Sequence, residues 1–337
     1  MKALSITQEG QSEIVEIEKP TCGSNQVLIK LAYVAFCGSD LSTYQGRNPM
    51  VSYPRVPGHE ISGTVVEFGS EVTHLTKGAK VTVIPYTACG ECPSCKRGRS
   101  NACRSNQTLG VQREGAMTEY ISIDSDKVLL VDQLNLDELA LVEPLTVGFH
   151  SVDRAEVTDQ DTVLVFGCGM IGLGAIAAAV HRGANVIAVD IADDKLDIAK
   201  KIGANHTIHS MKENLIEKVT SITGGDLADV VIEAVGNPIT YKNAIDVVAF
   251  AGRISCIGYA KEDVAFTTKY FVQKELDIRG SRNATRKDFE NVIQYLSLKT
   301  FPLSDTITEK VSLIDAPLAL DKWSQDPSVV TKIIVKF

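Results

Sequence analysis

The sequence predicts an α/β protein in two parts: a β-rich part drawn from both ends of the chain, and a doubly wound parallel sheet inserted between them. Three observations lead there. The first 145 residues or so hold short β-branched runs punctuated by Gly, Pro, Asn and Asp. From about residue 160 short apolar runs alternate with helical stretches, the texture of a parallel sheet with helices on both faces. The closing stretch VVTKIIVKF is strand-like again and returns to the first part.

In chain order, QVLIKLAYVAF, ISGTVVEFGS and KVTVIPY read as strands, and the first long helical period is DELALVEPLTVGFHSV. TVLVFG (162–167) is a buried strand, MIGLGAIAAAVHRG a helix, NVIAVD (185–190) a strand and DDKLDIAKKIG a helix. DVVIEAVG (229–236) and GRISCIG (252–258) are further buried strands, and RKDFENVIQYLSL is a late helix. The expected boundaries are 1–147 with 282–337 for the β-rich part and 148–281 for the parallel sheet.

A length of 337 residues fits two domains at about 150 residues each. With 34 basic and 42 acidic side chains the net charge is −8, which argues against a nucleic-acid or anionic-membrane partner. No apolar run approaches the ~18 residues of a membrane span. The opening MKALSITQEG lacks the charged and apolar regions of a secretory signal, so a cytoplasmic protein is expected. In a reducing compartment the eight cysteines need another use than disulfides.

Gly167-Cys168-Gly169-Met170-Ile171-Gly172 matches G-x-G-x-x-G between a strand and a helix. The first Gly permits the turn, the second lets a pyrophosphate approach the backbone, and the third allows strand and helix to pack closely. Asp190 ends the next strand, where a carboxylate accepts ribose hydroxyls and repels a 2′-phosphate. That pattern predicts NAD as cofactor, in preference to NADP. Lys195 could reach the adenosine ribose or be a solvated helix residue.

Cys89, Cys92, Cys95 and Cys103 crowd one short loop. Four thiolates close a tetrahedral Zn²⁺ site with no open position, so this site is expected to be structural. Cys37-Gly38-Ser39-Asp40, Gly58-His59-Glu60 and Glu143-Pro144-Leu145 offer mixed ligands, the composition of a catalytic zinc site. Spacing alone does not bring these three segments together; a lone Cys is usually core and a lone His usually structural.

In this order, along essentially the whole chain, these motifs resemble the zinc-dependent medium-chain dehydrogenases, the family of zinc alcohol, sorbitol and threonine dehydrogenases. The resemblance implies a GroES-like β-rich catalytic domain and a Rossmann domain with the active site in the cleft between them. It implies two zinc ions per chain, NAD and a homo-oligomer, dimer or tetramer. It assigns Cys37, His59, Glu60 and Glu143 to catalytic zinc, with Glu60 able to swing and Glu143 marking the polyol and sugar-acid subgroup. Ser39 would start the proton relay; many relatives continue it with a His where this chain has Ser42. Tyr53 to Glu60 and Gly280-Ser281-Arg282-Asn283-Ala284-Thr285 resemble the hexonate branch, the L-galactonate, L-gulonate and L-idonate 5-dehydrogenases. Arg282 and Asn283 are therefore expected at the substrate, Arg282 as a partner for a carboxylate. The expected reaction is reversible oxidation of a sugar-acid secondary alcohol, with hexitols or L-threonine as alternatives. A zinc-free quinone reductase or a non-catalytic nucleotide-binding protein would lack the Cys37/His59 pair and the four-Cys loop. His74, His150, His181, His206 and His209 match no ligand motif.

Overall fold

The computed structural model describes all 337 residues, which form two compact units, Met1–Glu143 with Leu303–Phe337, and Pro144–Pro302. In the first unit the sheet runs Ile307–Ser312, Lys332–Lys336, Gln26–Ala35, Glu60–Phe68, Lys80–Val83, Val128–Leu130, and Tyr120–Asp124 pairs with the first half of Gln26–Ala35. Val27, Ile29, Leu31, Ile61, Val81, Val83 and Val335 bury their side chains fully or nearly so, and Phe36 meets Trp323 in the same core. At about 1.5–3 kcal/mol per large aliphatic side chain, this burial is what holds the sheet.

Register delivers the chemistry. Gln26–Ala35 is antiparallel to both neighbours, with Ala35 opposite Glu60 on one side and opposite Ile334 on the other. Continuing the same register brings Lys332 level with Cys37. Lys332, Cys37 and Glu60 thus lie side by side at one end of three adjacent strands.

The second unit is a parallel sheet in the order His206–His209, Asn185–Asp190, Thr162–Phe166, Ala228–Glu233, Val248–Cys256, Asp277–Gly280. The order reverses between Thr162–Phe166 and Ala228–Glu233, which creates the crevice at which such sheets bind ligands. The central strands carry no exposed face, as their continuous apolar runs require.

Three details differ from the sequence reading. The return to the first unit comes at Leu303 and not at 282, because the helix Arg286–Ser297 buries Phe289, Val292 and Tyr295 in the second unit, Tyr295 lying 5.5 Å from both the Phe149 and His181 rings. The first crossing comes at Glu143–Pro144 and not after residue 147. The period expected over 137–152 is two helices, Leu136–Leu139 and Val142–Arg154. The hairpin Lys2–Gln8 with Gln11–Glu16 was not singled out by its composition. No helix is long and apolar enough to cross a membrane.

Candidate active site and metal centres

The thiol loop is built as its spacing predicts. The four sulfurs of Cys89, Cys92, Cys95 and Cys103 lie within 4.8 Å of one another. Cys92 Sγ is 3.5 Å from Cys95 Sγ and 3.9 Å from Cys103 Sγ, and Cys103 Sγ is 3.6 Å from Cys89 Sγ. A tetrahedron with ~2.3 Å Zn–S bonds has edges of about 3.8 Å, whereas a disulfide needs about 2.05 Å. The arrangement therefore fits a metal ion and excludes cystine. Amide N–H groups of Cys89, Cys92 and Ser105 donate to cluster sulfurs at 3.3–3.4 Å, which favours thiolates. The Ser94 hydroxyl and neighbouring amides hold the Cys92 thiol below its ordinary value, while burial and the other thiols hold Cys95 above it.

The second group lies at the strand ends described above. Cys37 caps the helix Gly38–Tyr44, and the Asp40 carboxylate accepts from the Cys37 amide at 2.8 Å and the Gly58 amide at 3.2 Å. One fully buried acid thus ties together the two segments that carry Cys37 and His59. Ligand atoms of Cys37, His59 and Glu60 fall within 4.8 Å of one another. Ser39 Oγ and His59 Nδ1 are buried with no hydrogen-bond partner. Buried polar atoms without partners are rare, and His59 belongs to a group of thiol, imidazole and carboxylate donors suited to zinc. Burial opposes a charged His59, but Cys37, Glu143 and Asp40 outweigh it and push its pKa well above the usual histidine range. An electron-rich donor set of this kind is completed by a cation.

Glu143 is not part of that 4.8 Å group. It stands in the first turn of Val142–Arg154, buried, and accepts a hydrogen bond from the Tyr86 hydroxyl. Its charge nevertheless reaches both His59 and Glu60. Glu60 is gripped elsewhere: Lys332 Nζ donates to both its carboxylate oxygens at 2.7 Å and to the Phe36 carbonyl at 2.9 Å. Burial pushes the Glu60 carboxyl upward against the pull of Lys332, and Glu143 adds to the push. Lys332, Tyr86 and Asp40 received no role from the sequence. A Lys at an inward position of KIIVK, and an Asp three residues past a cap, were the available signals.

In the second unit the glycine loop follows Thr162–Phe166 and Gly169 caps the helix Met170–His181. Gly167 has φ +89°, and a Cβ on Gly172 would stand 1.7 Å from the Gly167 carbonyl oxygen. A Cβ on Gly169 meets nothing within 4 Å, which leaves the helix N-terminus, with Met170 and Ile171, open to a pyrophosphate. The Asp190 carboxylate is engaged by backbone amides. One of its carboxylate oxygens accepts from the Cys168 amide at 2.6 Å, the other from Ile191 and Ala192 at 2.7 and 3.0 Å. Of about four acceptor positions on a carboxylate, three are used and one remains for a hydroxyl. Lys195 is half-buried in the first turn of Asp193–Ile202. Arg282 is exposed two residues beyond the strand Asp277–Gly280, and Asn283 adopts φ +52°.

Comparison with known proteins agrees with this architecture. Residues 23–133 match the alcohol dehydrogenase GroES-like domain and residues 171–297 the zinc-binding dehydrogenase domain. The chain is 37% identical over 275 residues to an L-galactonate-5-dehydrogenase of Escherichia coli (strain K12), covering 82% of this chain and 81% of the relative. It is 32% identical to a sorbitol dehydrogenase of Bacillus subtilis (strain 168), covering 99% and 97%. A short chain alcohol dehydrogenase of Escherichia coli CFT073, solved with the cofactor NADH, superposes with a TM-score of 0.93 at 30% identity, covering 100% of this chain and 99% of that one.

Proposed function

The chain belongs to the zinc-type medium-chain alcohol dehydrogenase family, an oxidoreductase family acting on CH–OH donors, and from that premise we propose that it oxidises a secondary alcohol of a sugar acid with NAD. When bound, zinc supplies the Lewis acid that makes a substrate hydroxyl acidic near neutral pH, and NAD supplies the hydride acceptor.

The chain's own residues do the rest. Cys37 and His59 would hold the metal, and Asp40 fixes the backbone that carries them. Ser39, whose Oγ has no protein partner, takes the proton from the substrate hydroxyl and passes it outward. Lys332 neutralises Glu60, so that two acids beside one site do not repel each other unopposed. Glu143, held by Tyr86, orients a second polar group of the substrate or joins the ligand set. Gly167, Gly169 and Gly172 shape the turn for the pyrophosphate, and Asp190 favours a ribose 2′-hydroxyl over a 2′-phosphate.

The observation that carries the sugar-acid reading is Arg282, an exposed guanidinium just past the C-terminal end of a parallel strand, the side on which such sheets bind ligands. The likeness to a protein named for L-galactonate supports it. The test is NAD reduction across aldonates, hexitols, short alcohols and L-threonine. An aldonate should be turned over best, and Arg282→Ala should lower its kcat/KM by about 10- to 150-fold, the range of a charge-assisted hydrogen bond. The matching hexitol, which has no carboxylate, should lose much less. The sorbitol dehydrogenase likeness favours the second reading, a hexitol substrate, and a wild type that prefers hexitols establishes it.

A further inference from the structure

We propose that Tyr86 is a positioning residue for the catalytic site: its hydroxyl fixes the Glu143 carboxylate, and the base of the four-Cys loop fixes Tyr86. The inference rests on the reading that Glu143 serves the Cys37/His59 site.

Both partners are buried, and the phenol donates to the carboxylate. The contrast with Glu60 is chemical. Lys332 donates to both oxygens of Glu60, whereas the Tyr86 phenol donates to Glu143.

Tyr86 is itself aimed by its neighbours in sequence. It forms a β-bridge with Thr108. Thr87 N donates to the Gln107 carbonyl at 3.1 Å, its Oγ1 accepts from Gln107 N at 2.8 Å, and its carbonyl accepts from Asn106 Nδ2 at 2.9 Å. This narrow ribbon is closed at its far end by Cys89 and Cys103, two of the clustered thiols. Only two residues, Thr87 and Ala88, separate the first thiol from the tyrosine whose hydroxyl touches Glu143.

The test compares Tyr86→Phe, Glu143→Gln and the double variant, all loaded with Co²⁺ in place of zinc. Phe keeps the ring and its packing, so an unchanged melting temperature separates loss of the hydroxyl from loss of fold. Tyr86→Phe should shift the cobalt d–d bands and lower kcat/KM by about 10- to 150-fold, the range for a hydrogen bond to a charged group. In the Glu143→Gln background the same change should cost less than about 2-fold, because the acceptor charge is already gone. Equal losses in both backgrounds, or bands that respond to Glu143→Gln and not to Tyr86→Phe, overturn the role of Tyr86 alone. Bands and turnover that ignore Glu143→Gln remove Glu143 from the site, and the proposal falls with that reading.

Discussion

Replacing Lys332 by Met tests the electrostatic plan of the metal site. The ammonium is 4% exposed and lies 2.7 Å from both oxygens of Glu60, which is fully buried. It also donates to the Phe36 carbonyl, next to Cys37. Methionine matches the stem and removes the charge. Breaking a buried ion pair by taking one partner costs about 3–5 kcal/mol, because the other charge is left in low dielectric. At about 2–4 °C per kcal/mol for a unit of this size, the first unit should melt about 6–20 °C lower. The assay is thermal unfolding of Lys332→Met beside Lys332→Met/Glu60→Gln. The double variant should recover more than half of the loss, since no stranded charge remains. Added zinc should narrow the deficit of the single variant, because the released carboxylate then has a cation to face. A single variant within about 1 kcal/mol of wild type, or a double variant worse than the single, would refute this account of Glu60.

Elemental analysis should find close to two zinc ions per chain; Cys92→Ser should lower solubility and stability more than turnover per folded molecule, and Cys37→Ser should do the reverse, because a lost structural ligand forfeits folding energy. Asp190→Ala should relax the preference for NAD over NADP, measured as the ratio of kcat/KM values. It should also weaken NADH binding, seen by fluorescence titration, because the Cys168 amide in the glycine loop loses its acceptor.

The local motifs were legible because their chemistry is encoded in short spacing. The thiol loop and the glycine turn each lie within fifteen residues, and the structure places them as the pattern implies. The second metal site depends on pairings no spacing reveals. Cys37 and Glu60 meet because Ala35 lies opposite Glu60 in an antiparallel register. Lys332 reaches them from 272 residues away along the chain. Its burial contradicts the ordinary rule for lysine, and only the acid opposite explains it. The boundary at 303 was missed for a similar reason. The helix Arg286–Ser297 reads as amphipathic from sequence, but which unit receives its apolar face is decided by Phe149 and His181. The sequence marks Asp190 as a ribose ligand but not as a latch on the Cys168 amide, because backbone donors carry no sequence signature.

The discontinuity of the first unit has a consequence for how the chain is made. Lys332–Lys336 lies between Ile307–Ser312 and Gln26–Ala35, inside the sheet and not at its margin. A ribosome delivers the inserted unit whole, as one contiguous stretch, before that strand has emerged. Domains generally fold as units during synthesis, so the nucleotide-binding half can reach its native form while the half begun first is still waiting. Until Lys332 arrives, the nascent sheet has an open edge at Tyr33–Ala35 and an unpaired Glu60 beside it. An unpaired edge of this kind invites pairing with other chains. Chaperone dependence and inclusion-body formation should therefore track the last stage of translation, and slowing elongation after residue 302 should reduce the soluble yield more than slowing it inside the inserted unit.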